Sequence, residues 1–89
     1  MPRLGDYLIH FVVSAAHEFR SLPLTVKQRV AKAIETISKE PRTRGVRKLQ
    51  GHDRLYRMRL GQYRLVYEID DHNKIIRVTQ VRHRRDAYR

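Results

Sequence analysis

The stretch that decides the fold is His52–Arg64, HDRLYRMRLGQYR. Gly61-Gln62 sits inside it as a two-residue loop with glycine first, the composition a type II′ hairpin turn demands. With those residues as the loop, Leu60 faces Tyr63, Arg59 faces Arg64, Met58 faces Leu65, Arg57 faces Val66 and Tyr56 faces Tyr67. Side chains alternate between the two faces of a sheet. One face then carries Tyr56, Met58, Leu60, Tyr63, Leu65 and Tyr67 as a core surface. The other gathers Arg57, Arg59 and Arg64. Like charges directly opposite one another destabilise a sheet. Three guanidinium groups on one patch therefore argue for an anion that belongs there.

Upstream of the hairpin, Tyr7–Phe11 reads as a first strand. Ser14 is placed to cap a short helix with Ala15, Phe19 and Leu22 inward, ended by Pro23. Thr25-x-x-Gln28 matches a capping box. Val26, Val30, Ala33, Ile34 and Ile37 then form one apolar stripe at helical spacing, with Lys27, Arg29, Lys32 and Lys39 around the rest. Pro41 closes this helix, and Leu22-Pro23-Leu24 joins the pair as a helical hairpin. Arg42–Gly51 reads as a basic connector. Downstream, Asp70–Lys74 is a polar turn and Ile75–Val81 a last strand, whose facing is ambiguous because Ile75 and Ile76 point opposite ways. The order β-α-α-β-β-β predicts an α+β fold, a small antiparallel sheet with the N-terminal helical hairpin packed on one face. The arginines occupy the open face.

At 89 residues the chain is sized for one domain, residues 1–89, with a thin core and no room for a deep cofactor pocket. It contains no cysteine, which removes disulfides, thiolate metal sites and thiol nucleophiles. The N-terminal residues lack the apolar length of a signal peptide or a membrane span, so the expected location is cytoplasmic, with no membrane partner. Charge dominates the composition. There are 20 Lys and Arg against 9 acidic residues, a net +11. Fifteen of the 20 are Arg, the side chain suited to bidentate phosphate recognition and to stacking on bases. The charge clusters at 42–64 and 82–89, which points to nucleic acid or to an acidic protein partner.

Among individual residues, the open face of a sheet is a familiar platform for nucleic acid, which favours a phosphate-binding role for Arg57, Arg59 and Arg64. His83 follows the last strand, with Arg82, Arg84 and Arg85 beside it. By residue type alone it is a surface histidine, although a neutral imidazole can serve as general base. Tyr88 alone reads as packing. Glu68 shares the arginine face and can neutralise part of it. His10, His17, His52 and His72 show no metal-ligand spacing, and no metal or cofactor is expected.

The run KLQGHDRLYRMRLGQYRLVYEIDDHNKIIRVTQVRHRRDAYR, residues 48–89, together with FRSLP at 19–23 and KEP at 39–41, resembles the RelE/ParE superfamily of bacterial toxins, on the RelE side. The resemblance covers nearly the whole chain. It rests on Lys48-Leu49-x-Gly51, Tyr56-Arg57-x-Arg59, Gly61-x-Tyr63-Arg64-Leu65-x-Tyr67 and His83-Arg84-Arg85-Asp86-x-Tyr88, taken in order. It implies the toxin of a type II toxin–antitoxin system, a ribosome-dependent endoribonuclease that cuts mRNA in the A site. Attack by the RNA's own 2′-hydroxyl needs a base, an acid and charge stabilisation at the phosphate, and no metal where cations supply the last of these.

Carried over by position, the resemblance makes Arg59, Arg64, His83, Arg84 and Tyr88 catalytic. Arg57, Arg47, Lys48, Arg54, Arg82 and Arg85 are then RNA-binding. Where many relatives have glycine before the histidine, this chain has Arg82. The implied partners are the ribosome and mRNA, a RelB-like antitoxin with an acidic toxin-binding segment, and operator DNA reached through that antitoxin. Two other readings share these residues: a ParE-like toxin acting on DNA gyrase, and a basic module that grips RNA without cutting it.

Overall fold

The Gly61-Gln62 hairpin forms in the register its turn chemistry dictates. In the computed structural model, which describes residues 6–51 and 53–85, Leu60 pairs with Tyr63, Arg59 with Arg64, Met58 with Leu65, Arg57 with Val66, Tyr56 with Tyr67 and Leu55 with Glu68. Gly61 has φ +62 and Gln62 does not have a positive φ, the pattern of a II′ turn.

The elements are β1 (Leu8–Phe11), α1 (Val13–Arg20), α2 (Leu24–Lys39), β2 (Val46–Lys48), β3 (Leu55–Leu60), β4 (Tyr63–Asp70) and β5 (Ile75–His83). The strands make one sheet in the order β1-β5-β4-β3-β2. The α+β class stands, with two corrections to the expected sheet. First, the basic connector contains a strand, β2, antiparallel to β3. Three residues between the left-handed Gly45 and Gly51 are too few to show an alternating pattern. Second, the sheet is mixed, because β1 runs parallel to β5, with Leu8 opposite Ile75 and Phe11 opposite Val78. No hairpin links these two strands, and the long chain between them provides the crossover that parallel pairing requires.

Both helix starts also differ from expectation. Neither Ser14 nor Thr25 caps its helix. α1 opens on the Val12 carbonyl, which accepts the Ala16 N–H at 2.9 Å. α2 opens on Pro23, whose ring holds φ at −58° and whose carbonyl accepts the Lys27 N–H at 2.9 Å. The predicted stripe of α2 does face the sheet. Val30, Ala33 and Ile37 are buried, and Val26 and Ile34 pack at the margin of the core. Opposite them lie Met58, Leu65, Tyr67, Ile69, Ile76, Val78 and Val81.

The ambiguous facing of β5 is resolved by a β-bulge. Tyr67 pairs with Val78 but Val66 with Gln80, which leaves Thr79 as an extra residue. Ile76 and Val78 point inward before the bulge, and Val81 points inward after it. The bulge therefore reverses the parity of the strand's last residues.

Far from the hairpin turn, a polar cluster ties the segment before β1, the segment after α2, strands β3 and β4, and the β4–β5 turn together. Arg42 donates to both oxygens of Asp71, at 3.2 and 2.8 Å, and through Nε to the Tyr56 hydroxyl at 3.2 Å. The Tyr7 hydroxyl also donates to Asp71, at 2.5 Å. Tyr67, buried beside Tyr56, donates to the Pro41 carbonyl at 2.7 Å. The Arg42 and Tyr7 hydrogen bonds hold the Asp71 carboxyl at about 2, below its ordinary 3.8. A lowered carboxylate stabilises the fold above its ordinary value, and that contribution disappears as pH falls through the folded value. Acid titration followed by circular dichroism should therefore show extra loss of stability between about pH 4 and 2, and Asp71→Asn should remove that component. Identical acid profiles for the two proteins would refute the assignment.

Candidate functional site

Arg57 and Arg59 come from β3 and Arg64 from β4, all on the face away from the helices. Arg84 joins them from beyond β5. Its amide donates to the Gln62 carbonyl at 2.7 Å, which extends the β4–β5 pairing past the end of the strand and lays the backbone against the hairpin turn. The bulge gives Arg82 and Arg84 the parity of this face; without it they would point toward the helices. Arg57, Arg59, Arg64 and Arg84, with Gly61 and Tyr63, line one cleft of about 140 Å³. Such a hollow suits a phosphate group more than a folded cofactor. Four guanidinium groups can grip phosphate oxygens in forks and stabilise negative charge that develops there.

The floor beside the cleft is apolar. Val66 is buried, yet it stands on the arginine face and outside the main core cluster. Its cross-strand neighbours are Arg57 and Gln80, whose long stems can cover it. Glu68, the acidic residue of this face, bonds Arg77 across the strand pair. It is thereby committed away from the arginines of the cleft.

The remaining candidate residues are distributed differently. Arg47 lies on the arginine face opposite Arg57, whereas Lys48 pairs with Tyr56 and takes the other face. Arg54 lies toward the opposite end of the sheet, in a hollow with Arg42, Asp70, Asp71 and His72. Arg82 has the parity of the arginine face, but its Nε donates to Glu18 on α1. Arg85 is exposed, and its amide donates to His83 Nδ1 at 3.2 Å. A ring nitrogen that accepts carries no proton, so the neutral ring holds its proton on Nε2.

His83 pairs in register with Tyr63 and shares the helix-bearing face with it. The two rings meet edge to face, with centroids 5.2 Å apart. They line a second hollow with His17, Ser21, Leu22 and Pro23, between the helical hairpin and the sheet. The four arginines and the histidine are thus brought to one end of the sheet but to opposite sides of it. Tyr63 belongs to both hollows. Tyr88, Asp86 and His52 lie outside the described residues.

Sequence reasoning placed Tyr63 in the core and gave Glu18 no role. Alternation assigns Tyr63 to the inner face correctly, but the core is thin at the hairpin end and leaves the ring at a cleft. Glu18 shows no signal in the sequence, because its partners, Val81 and Arg82, are more than sixty residues away.

A family model described as the ParE toxin of type II toxin–antitoxin systems matches residues 3–88. Toxin RelG of Mycobacterium tuberculosis is 33% identical over 87 residues, 93% of this chain and 97% of that protein. A chain of the archaeal RelE–RelB complex from Pyrococcus horikoshii superposes with TM-score 0.79 at 28% identity, covering 89% of this chain and 96% of that one. A chain of the intact E. coli RelBE toxin–antitoxin complex also gives 0.79, at 30% identity, covering 86% and 95%. The chain belongs to the RelE/ParE superfamily and is a toxin of a type II toxin–antitoxin system.

Proposed function

We propose that this toxin is a ribosome-dependent endoribonuclease of the RelE kind, cutting mRNA in the A site through the message's own 2′-hydroxyl. The observation that carries this reading is the convergence of Arg57, Arg59, Arg64 and Arg84 on one phosphate-sized cleft. The scissile phosphate lies among these side chains, which stabilise the charge of the pentacoordinate transition state without a metal ion. His83 and Tyr88 are the candidates for the two proton transfers, and for His83 to take one the message has to wrap past Tyr63, the residue that borders both hollows, to the helix-bearing side. Arg47 and Arg85 flank the path, while Lys48 and Arg54 add to the basic field around it. Because ribosomes are its target, the protein works in the cytoplasm.

Its inhibitor is a RelB-like antitoxin whose acidic segment orders on this basic surface, as complementary charge favours. Solved relatives include toxins in complex with RelB. The pair represses its own operon through the antitoxin's DNA-binding part.

Primer extension on mRNA from translating ribosomes tests the proposal. Cuts inside codons, dependent on the ribosome and weakening steeply with added salt, are the expected result. The family model that matches the chain is named for ParE, which keeps gyrase as the second reading. Intact message together with induced DNA damage signalling would establish that reading and overturn the first.

A further inference from the structure

We infer that Glu18 and Arg82 form a clasp that positions the C-terminal arm of the site, so that Arg82 acts through Glu18 rather than on RNA. The inference rests on the ribonuclease reading for its kinetic consequence, though not for its structural one.

β1 ends at Phe11, opposite Val78. Past that point, β5 has no strand on its outer side among the described residues. An open edge of this kind leaves backbone groups without ladder partners. α1 supplies one. Glu18 Oε1 accepts the Val81 N–H at 2.9 Å, and Oε2 accepts from Arg82 Nε. One carboxylate thus uses both oxygens on two consecutive residues of β5. Glu18 is itself held by a helix whose Ala15 is fully buried and whose Phe19 packs on Phe11, with ring centroids 5.6 Å apart.

Two residues further on, the Arg84 amide binds the Gln62 carbonyl on the inner side of the strand. Residues 81–84 are therefore held from both edges, by α1 on one and by the hairpin turn on the other. This grip aims Arg84 into the arginine cleft and sets His83 against Tyr63.

Charge supports the same assignment. By register Arg82 is third in a row, after Arg59 and Arg64. Its pairing with Glu18 compensates it, while Arg64 and Arg84 still line the cleft. A glycine at this position would leave the backbone loose; arginine with Glu18 fixes it.

The test compares Glu18→Gln, Arg82→Ala and the double variant on mRNA-programmed ribosomes. Each single change should lower kcat by about ten- to a hundredfold, since misplacing a reacting group by an ångström has effects of that size. The double variant should be no worse than the worse single one, as members of one unit are not additive. KM, and the slope of log affinity against log salt, should stay at the parent's values. A shallower salt slope for Arg82→Ala, with Glu18→Gln near the parent, would make Arg82 a phosphate contact and overturn the clasp. Parental kcat in both single variants would overturn it too.

Amide hydrogen exchange on the free toxin provides a readout independent of the reaction. In Glu18→Ala, the Val81 and Arg84 amides should exchange at least about tenfold faster while Ile76 keeps its protection. If the parent cleaves no RNA, the ribonuclease reading falls and these amides decide the clasp. Unchanged exchange at both would refute it.

Discussion

Arg64→Ala is expected to lower the rate of message cleavage by about 10²–10³-fold, the loss typical of deleting one preorganised group that stabilises transition-state charge. Arg64 sits at the centre of the row, between Arg59 on one neighbouring strand and Arg82 on the other, and lines the cleft with Arg57 and Arg84. Single-turnover cleavage on programmed ribosomes provides the measurement. Arg64→Lys should recover only part of the rate, because a lysine keeps the charge but not the planar fork that matches phosphate oxygens. An alanine variant that cuts at the parental rate would remove the basis of the proposed mechanism.

The largest effect on stability is expected one residue away. Leu65 is fully buried and faces Met58 and Val81 across its two neighbouring strands. Leu65→Ala should cost about 3 kcal/mol, combining lost transfer energy with the cavity left behind. A domain of this size holds roughly 5–10 kcal/mol in total, so about a third or more of the margin goes with one side chain. Tm should drop by roughly 12–24 °C, and the midpoint of urea unfolding should fall in parallel. A loss below about 1 kcal/mol would mean that this position is not at the packed centre of the sheet. The contrast between the neighbours is informative, because Arg64 and Leu65 differ in sequence by one step and in function by the face they occupy.

The hairpin was legible in the sequence because a two-residue loop with glycine first admits one register, and that register sorts the arginines from the core. The apolar stripe of α2 was legible for a similar reason, since a helical period repeated over three turns has one solution. What escaped notice depends on residues far apart in the chain. β2 is three residues long and exists because β3 offers an edge. The parallel pairing of β1 with β5 joins residues nearly seventy positions apart. The extra residue at Thr79 alters no local pattern, yet it decides that Val81 and His83 turn inward while Arg82 and Arg84 turn out. Reading the last strand as a plain alternation continued from Ile76 and Val78 would have reversed all four. The candidate site was therefore readable as a set of residue types and only partly as a geometry. The arginines come together, and the histidine stands behind the sheet from them.

The facing arginines carry a thermodynamic consequence of their own. Arg47 against Arg57, and Arg59 against Arg64, are cross-strand pairs of like charge, so forming the sheet does electrical work against itself. Negative charge that settles on the native surface offsets that work, since a dispersed chain offers no such array. An anionic partner thus favours the folded form by mass action. For this protein, a molecule that blocks the cleft also acts as a template for the sheet.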